Sequence, residues 1–359
     1  MYQQSLNFLR AMSSHGATIT GPTRLEFMLN TSRSGYLCRR LKLNYIGGAT
    51  ASDRPEERQP KLLSQHQGYL LGIYHYPESL CQKDGERPLL IIAPGLGGDE
   101  HSPYARWAAQ EALRLGFDTL LVSPRGSGGS SPGFYHGGWY QDLISATQHP
   151  HLTRYTRRYL VGFSMGGHKA CRVACAPEGQ GIFKSIFACC PPLDLKSTSR
   201  HIDQDSWRIY RRYLVEGIKV IPRRLLIETN AEASPLPTHV QEGLIRSLSV
   251  NTLEMFDHNA ISALLGYESA EEYYAYESAV RYLSQVHTHL RCALNRFDPF
   301  IPALQQDTLA QAHCIDQPLF SIQTYPRGGH IYGGDHRERD NALGALYHWM
   351  HECLGISQA

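Results

Sequence analysis

The sequence predicts an α/β protein with a mostly parallel central sheet flanked by helices and a helical insertion late in the chain. Three observations carry that prediction. Short apolar or β-rich runs alternate with helical patterns up to about residue 192. Between 196 and 285 the alternation stops and only helical patterns remain. It then returns and lasts to the C-terminus. Strands that alternate with helices pair in parallel, because each crossover must pass over a face of the sheet and cover it.

The elements follow in order. "GYLLGIYHY" (68–76) reads as a β segment, and "PLLIIAPG" (88–95) as a continuous apolar run of the kind buried on both faces. In "HSPYARWAAQEALRLGFD", Ser102 suits an N-cap, Pro103 the first helical position and Gly116 the residue past the end. Tyr104, Ala108, Ala112 and Leu115 then share one helix face. "DTLLVSP" (118–124) is a strand, Trp139 to Gln148 fits a helix, and "YLVGF" is a strand followed by a helix from about Met165. "FKSIFACCPP" (183–192) is another strand. "SWRIYRRYLVEGIKVI" and "SAEEYYAYESAVRYL" are the clearest helical pieces of the insertion. "HLRCALNRFDPF" (289–300), a helix near 302–312, "PLFSIQTYP" (318–326) and a helix near 338–352 complete the pattern. The expected division is an N-terminal extension over 1–67, partly β with a polar linker at 47–67. A core over 68–195 and 286–359 and a helical cap over 196–285 follow.

Composition excludes several function classes. The 359 residues carry a net charge of +2, and the arginine pairs at 39–40, 157–158, 211–212 and 223–224 are dispersed. That is not the clustered basic face a nucleic acid needs. Nine cysteines include no C-x-x-C pair, so zinc and thioredoxin-type motifs lack support, and they read as small buried hydrophobes in a reducing compartment. "MYQQSLNFLRAM" has no basic start or long apolar core, and no run approaches a membrane span. The expectation is a soluble, cytoplasmic protein without a transmembrane segment.

Two glycine-rich turns invite a phosphate-binding reading, and both fail on spacing. In "GLGGDE" the third fingerprint glycine would fall on Glu100, in "GSGGSS" on Ser131, and neither ends in G-K-[ST]. The G-x-S-x-G at 162–166, in "YLVGFSMGGHKA", is more informative. A nucleophilic serine must project from a tight strand-to-helix turn, and glycines two before and two after it remove the side chains that would clash. Here a strand precedes Ser164 and a helix follows. A serine hydroxyl needs a base, and the expected chain order is serine, acid, histidine. Asp298 and His330 each stand just past a late strand and satisfy that order. His168 falls inside the helix after the elbow, pointing away from the serine. His336, Asp316 and Asp335 are weaker rivals because none stands at a strand end. The N–H groups of Met165, after the nucleophile, and Leu96, in the "PGLGG" turn, are the expected oxyanion donors. Tyr273, Tyr274 and Tyr276 either cover an acyl pocket or pack the cap.

At these residues the chain resembles the YheT-like branch of the α/β-hydrolase superfamily, which includes the ABHD-type esterases and lipases. The resemblance rests on "PGLGGDEHSPYARWAAQEALRLGFDTLLVSPRGSGGS", "VGFSMGGH", "CCPPLDL", "IYRRYLVEGIK", "FDHNAISALLGYESAEEYYAYESA", "ALNRFDPFIP" and "GGH", in that order, over about 68–352. It implies an α/β-hydrolase fold with a helical cap, serine ester hydrolysis, and no metal or organic cofactor. It also implies that Ser164, Asp298 and His330 form the triad. The chain departs from relatives at Arg296 and Phe297 before the aspartate and at "IYGG" after His330, and it lacks the membrane-anchoring N-terminal helix of some eukaryotic members. The expected function is hydrolysis of short- or medium-chain acyl esters or lipids through an acyl-enzyme on Ser164. An acyltransferase with the same triad and a non-catalytic ligand-binding protein are the alternatives. The expected partner is a small-molecule ester or lipid, with no nucleic acid; oligomeric state stays open.

Overall fold

Leu89–Ala93 is buried at all five positions, and that burial reflects its place near the middle of an eight-stranded sheet. The computed structural model describes residues 36–46, 67–77, 87–128, 130, 136–204, 209–231, 236–303, 317–332 and 336–356. Its strands are β1 (Tyr36–Ile46), β2 (Gln67–Pro77), β3 (Leu89–Ala93), β4 (Asp118–Ser123), β5 (Arg158–Phe163), β6 (Ser185–Cys189), β7 (His289–Asn295) and β8 (Phe320–Tyr325). Their order in the sheet is β1-β2-β4-β3-β5-β6-β7-β8. β1 and β2 pair antiparallel, as do β2 and β4, and every later neighbour is parallel. Tyr36–Ile46 lies in the stretch the sequence set apart as an extension, yet it pairs with β2 along its whole length. Most of the polar linker (47–66) and most of the helix expected near 302–312 lie outside the described residues.

Helices cover both faces. α1 (Pro103–Leu115) starts with Pro103 at its first position and ends on Gly116 at φ 108°. Ser102 holds the N-cap position without capping, because its hydroxyl accepts from the Asp99 N–H at 3.1 Å. α1 and α11 (Ala342–Cys353) pack over Leu90, Ile92, Val161 and Phe187 on one face. α2 (Gln141–Ala146) and α3 (Met165–Cys175) pack over Leu89, Ile91, Leu160 and Ile186 on the other. Alternate residues of one strand thus serve two cores, as the period of two requires.

Between β6 and β7 the chain is helical: α4 (Leu195–Asp203), α5 (Ile209–Ile218), α6 (Val220–Ala231), α7 (Thr238–Ser247) and α8 (Leu253–Phe256). A π-helical turn (Asp257–Ser262) then leads into α9 (Ala263–Leu265), followed by α10 (Ala270–Glu277) and a 3-10 segment (Ala279–Gln285). These helices have a core of their own around Leu244, Phe256, Ala260, Leu265 and Tyr274, which reaches the sheet through Trp139, Leu96 and Met165. Seven cysteines fall among the described residues; all are free and five are buried. Among the described residues no helix is long and apolar enough to cross a membrane.

Candidate active site

Ser164 stands between the last residue of β5 and the first of α3. Its backbone lies at φ 52° and ψ −121°, a region L-residues rarely occupy, so the turn is strained. Neighbouring glycines permit it. A Cβ at Gly162 would sit 2.2 Å from the Gly166 oxygen, and one at Gly166 would sit 2.4 Å from the Ala93 oxygen. The Ser164 N–H donates to Cys189 O at 2.9 Å and its carbonyl accepts from the His168 N–H at 2.9 Å, which ties the turn to both strand and helix.

Asp298 follows β7. Its Oδ1 accepts from the N–H groups of Phe300 (2.8 Å) and Ile301 (3.2 Å), and its Oδ2 lies 2.8 Å from His330 Nδ1. A carboxylate can only accept, so Nδ1 carries the proton and donates it to Asp298. His330 Nε2 is then an acceptor, and it lies 2.8 Å from Ser164 Oγ. The serine hydroxyl donates into it. Three residues from three strand ends form one hydrogen-bonded chain, and Asp298 and His330 are 6% and 7% exposed.

Asn295, the last residue of β7, escapes a sequence reading. Its Nδ2 donates to Gly329 O at 2.7 Å, beside His330, and its Oδ1 accepts from the Ala342 N–H at 2.8 Å. It thus holds the histidine loop to the strand that supplies the aspartate. Phe300 also adds a wall, its ring edge-on to His330 at 4.5 Å between centroids. An asparagine three residues before the acid is the signal, but nothing in one sequence separates it from a surface amide.

The rival residues fall elsewhere. His168 is fully buried, with Nδ1 2.8 Å from Pro192 O and Nε2 2.9 Å from Glu277 O. It pins α3 to the end of α10. Burial, with Arg172 and Lys169 nearby, lowers its pKa to about 4, so the neutral ring has one N–H to share between two carbonyls. His336 packs against Trp107, and Asp316 and Asp335 lie outside the described residues. Cys190, Asp298 and His330 have donor atoms within 4.8 Å of one another, a spacing that can hold a metal ion. Two of those atoms are already spent on each other. A hydrogen bond with Cys189, burial and the Asp298 charge hold the thiol protonated, so the trio is poorly prepared as a ligand set.

A cavity of about 920 Å³ opens onto Ser164 and His330, and Leu96 and Met165 also line it. Gly95 N–H donates to the Tyr104 hydroxyl and Gly98 N–H to Gly95 O, which shapes the turn that carries Leu96. Among the described residues, neither the Leu96 nor the Met165 N–H has a backbone acceptor. Met165 is the first residue of α3, where helix N–H groups have no partner within the helix.

Comparison with known proteins bears on the fold. The model of the alpha/beta hydrolase fold family matches residues 88–331. YheT of Escherichia coli is 25% identical over 256 residues, 68% of this chain and 70% of its own. The monoacylglycerol lipase of Saccharomyces cerevisiae is 24% identical over 306 residues, 80% of this chain and 65% of its own. The medium-chain fatty acid ethyl ester synthase/esterase 2 of the same yeast is 22% identical over 278 residues, covering 69% and 58%. The chain spans between 53% and 70% of the length of the curated relatives it matches. Among solved structures, the Pyrococcus furiosus esterase Pf2001 superposes with a TM-score of 0.53 at 14% identity, covering 95% of this chain and 98% of that one. At that identity it speaks for the fold alone. The sheet order, the strand–serine–helix turn and the match over 88–331 place this chain in the alpha/beta hydrolase fold family.

Proposed function

We propose that this protein is a serine carboxylic-ester hydrolase. The observation that carries the reading is the unbroken hydrogen-bond chain from Asp298 through His330 to Ser164, ending in a cavity lined mostly by apolar side chains. His330 Nε2 takes the Ser164 proton as Oγ attacks the ester carbonyl. The Leu96 and Met165 N–H groups receive the oxyanion, and each contributes about 3 kcal/mol to lowering the barrier. Asp298 holds the imidazole in the required tautomer and stabilises its cation. His330 then protonates the leaving alcohol, and a water activated by the same nitrogen releases the acyl group. The helical stretch 196–285 acts as the cap over the acyl chain. Relatives named as a monoacylglycerol lipase and as an ester synthase/esterase support esters of fatty acids as the substrate class.

The test is the Ser164→Ala variant assayed on short-chain nitrophenyl esters, with a fluorophosphonate probe applied to the wild type. We expect labelling at Ser164 and a loss of kcat of at least ~10⁴-fold, since a triad missing its nucleophile retains only binding and oxyanion stabilisation. Full activity in the variant overturns the mechanism. The yeast relative named both synthase and esterase favours a second reading, acyl transfer to an alcohol. Product analysis with added ethanol separates the two, because transfer yields the ethyl ester and hydrolysis the free acid.

A further inference from the structure

The cavity above Ser164 has two unlike kinds of wall. Most of its cap side is aliphatic or aromatic, including Ile218, Ile221, Leu253, Phe256 and Ile261. One patch is polar, where Thr198 and Ser199 of α4, Asp257 of the π turn and Tyr274 of α10 line the same space. α4 and the later pair formed by the π turn and α10 bring three hydroxyls and a carboxyl together. The Tyr274 hydroxyl donates to Asp257 Oδ2 at 2.7 Å and lies 3.0 Å from Ser199 Oγ. A phenol has one proton. It goes to the carboxylate, the stronger acceptor, and the Ser199 hydroxyl turns back toward the phenol oxygen.

The patch is not finished by the protein. Asp257 Oδ1 has no hydrogen-bond donor among the described residues. The Thr198 hydroxyl oxygen, which also has no partner among them, is closed off from the cavity, so Asp257 Oδ1 is the open group of the patch. The charges acting on Asp257 are those of Asp203 and Glu254; with burial as the larger cause, they push its carboxyl up to about 7. A half-buried acid held by one phenol and facing other acids gains from a further hydrogen-bond donor. Asp257 also begins the π turn, a local widening of the helix that is frequent at functional sites.

We propose that this patch is a hydroxyl-binding subsite, and that the ester substrate carries a free hydroxyl placed away from the scissile bond. The inference rests on the hydrolase reading above and adds a substrate feature to it. A hydroxyl both donates and accepts, so it can pair with Asp257 Oδ1 in either protonation state. An unsubstituted alkyl chain would leave Asp257 Oδ1 unpaired, and a substrate carboxylate placed at this patch would meet the charges of Asp257, Asp203 and Glu254.

The experiment uses two matched pairs of esters. One pair is the propyl and hydroxypropyl esters of one fatty acid. The other is the nitrophenyl esters of that fatty acid with and without a hydroxyl on its chain. In one of the pairs, wild-type kcat/KM favours the hydroxylated ester roughly ten- to hundredfold, the range for a hydrogen bond to a charged group. Asp257→Leu abolishes that preference, and Tyr274→Phe and Ser199→Ala reduce it. The readout is a ratio on one enzyme sample, so it does not depend on how much of the variant folds. Equal rates within both pairs for the wild type overturn the inference while leaving the hydrolase standing. So does a preference that survives Asp257→Leu or, if that variant yields no folded protein, both of the other two. Failure of the wild type to hydrolyse any of the four esters overturns the hydrolase reading and the subsite with it.

Discussion

On the floor of the cavity Ser164 and His330, with Asp298 behind them, hang from the ends of three strands locked into the parallel part of the sheet. In the roof, Thr198, Ser199, Asp257 and Tyr274 come from helices that pack on one another through a separate apolar core. The floor is over-determined: the Asp298 carboxylate alone meets two backbone N–H groups and an imidazole, and Asn295 holds the histidine loop from behind. The roof is looser, with Ile209, Val220 and Ile227 of α5 and α6 42%, 57% and 72% exposed. The difference divides the labour. Bond making needs atoms held within fractions of an ångström, which a hydrogen-bonded sheet supplies. Choosing a substrate needs only a surface of the right polarity, which packed helices can offer while yielding slightly.

If that division holds, changes to the floor stop turnover on every ester, while changes to the roof alter selectivity or very little. The largest effect after loss of the serine belongs to Asp298→Asn. Such a change leaves His330 in the wrong tautomer and lowers kcat by about 10⁴-fold, with circular dichroism unchanged. Activity within tenfold of wild type would move the acid elsewhere and break the comparison.

A second effect concerns the sheet beneath the floor. His75 on β2 is fully buried, and burial, with Arg106 adding to it, lowers its pKa to about 4 from 6.5. Between those values the unfolded chain binds a proton that the folded one refuses. Stability is therefore full above pH 6.5 and falls as pH drops toward 4. The loss is on the order of 3 kcal/mol. Urea denaturation across that window checks it, and His75→Gln should flatten the slope. An equally steep slope in that variant would assign the acid sensitivity to other groups.

The smallest effect belongs to the roof's outer surface. Ile227→Lys replaces a side chain that is mostly in water, and we expect less than about 0.5 kcal/mol in thermal stability and unaltered kcat. A large loss of turnover there would show that the roof takes part in the chemistry.

The same division governs what one sequence reveals. Residues of the floor were legible because strand ends, glycine spacing and chain order are all local signals: "GFSMGG" states the turn, and Asp298 and His330 each follow a recognisable strand. Most of the parallel sheet was legible for the same reason. The pairing of Tyr36–Ile46 with β2 was not, because a polar stretch separates the two and no local pattern marks which distant strand an edge strand joins. The roof was legible as helix, with Tyr273, Tyr274 and Tyr276 left open between pocket cover and packing, and the first two line the cavity. Asp257, Ser199 and Tyr274 are polar residues at helical spacing, and that pattern looks the same whether the side chain meets water or a cavity. Nor does any composition signal announce a π turn. Asn295 was missed because its role lies in two backbone groups that come near it only after folding.

The chain order of the floor has a consequence in time. Ser164 and His330 are 166 positions apart, and Asp298 precedes His330 by only 32. Synthesis runs from the N-terminus, and early segments begin to fold as they emerge. The serine leaves the ribosome with the elbow already encoded around it, but its base and acid follow only after the whole helical stretch has been made. Throughout that interval the nascent chain holds an unactivated alcohol. A polypeptide released early carries Ser164 without the aspartate and histidine that the proposed reaction needs.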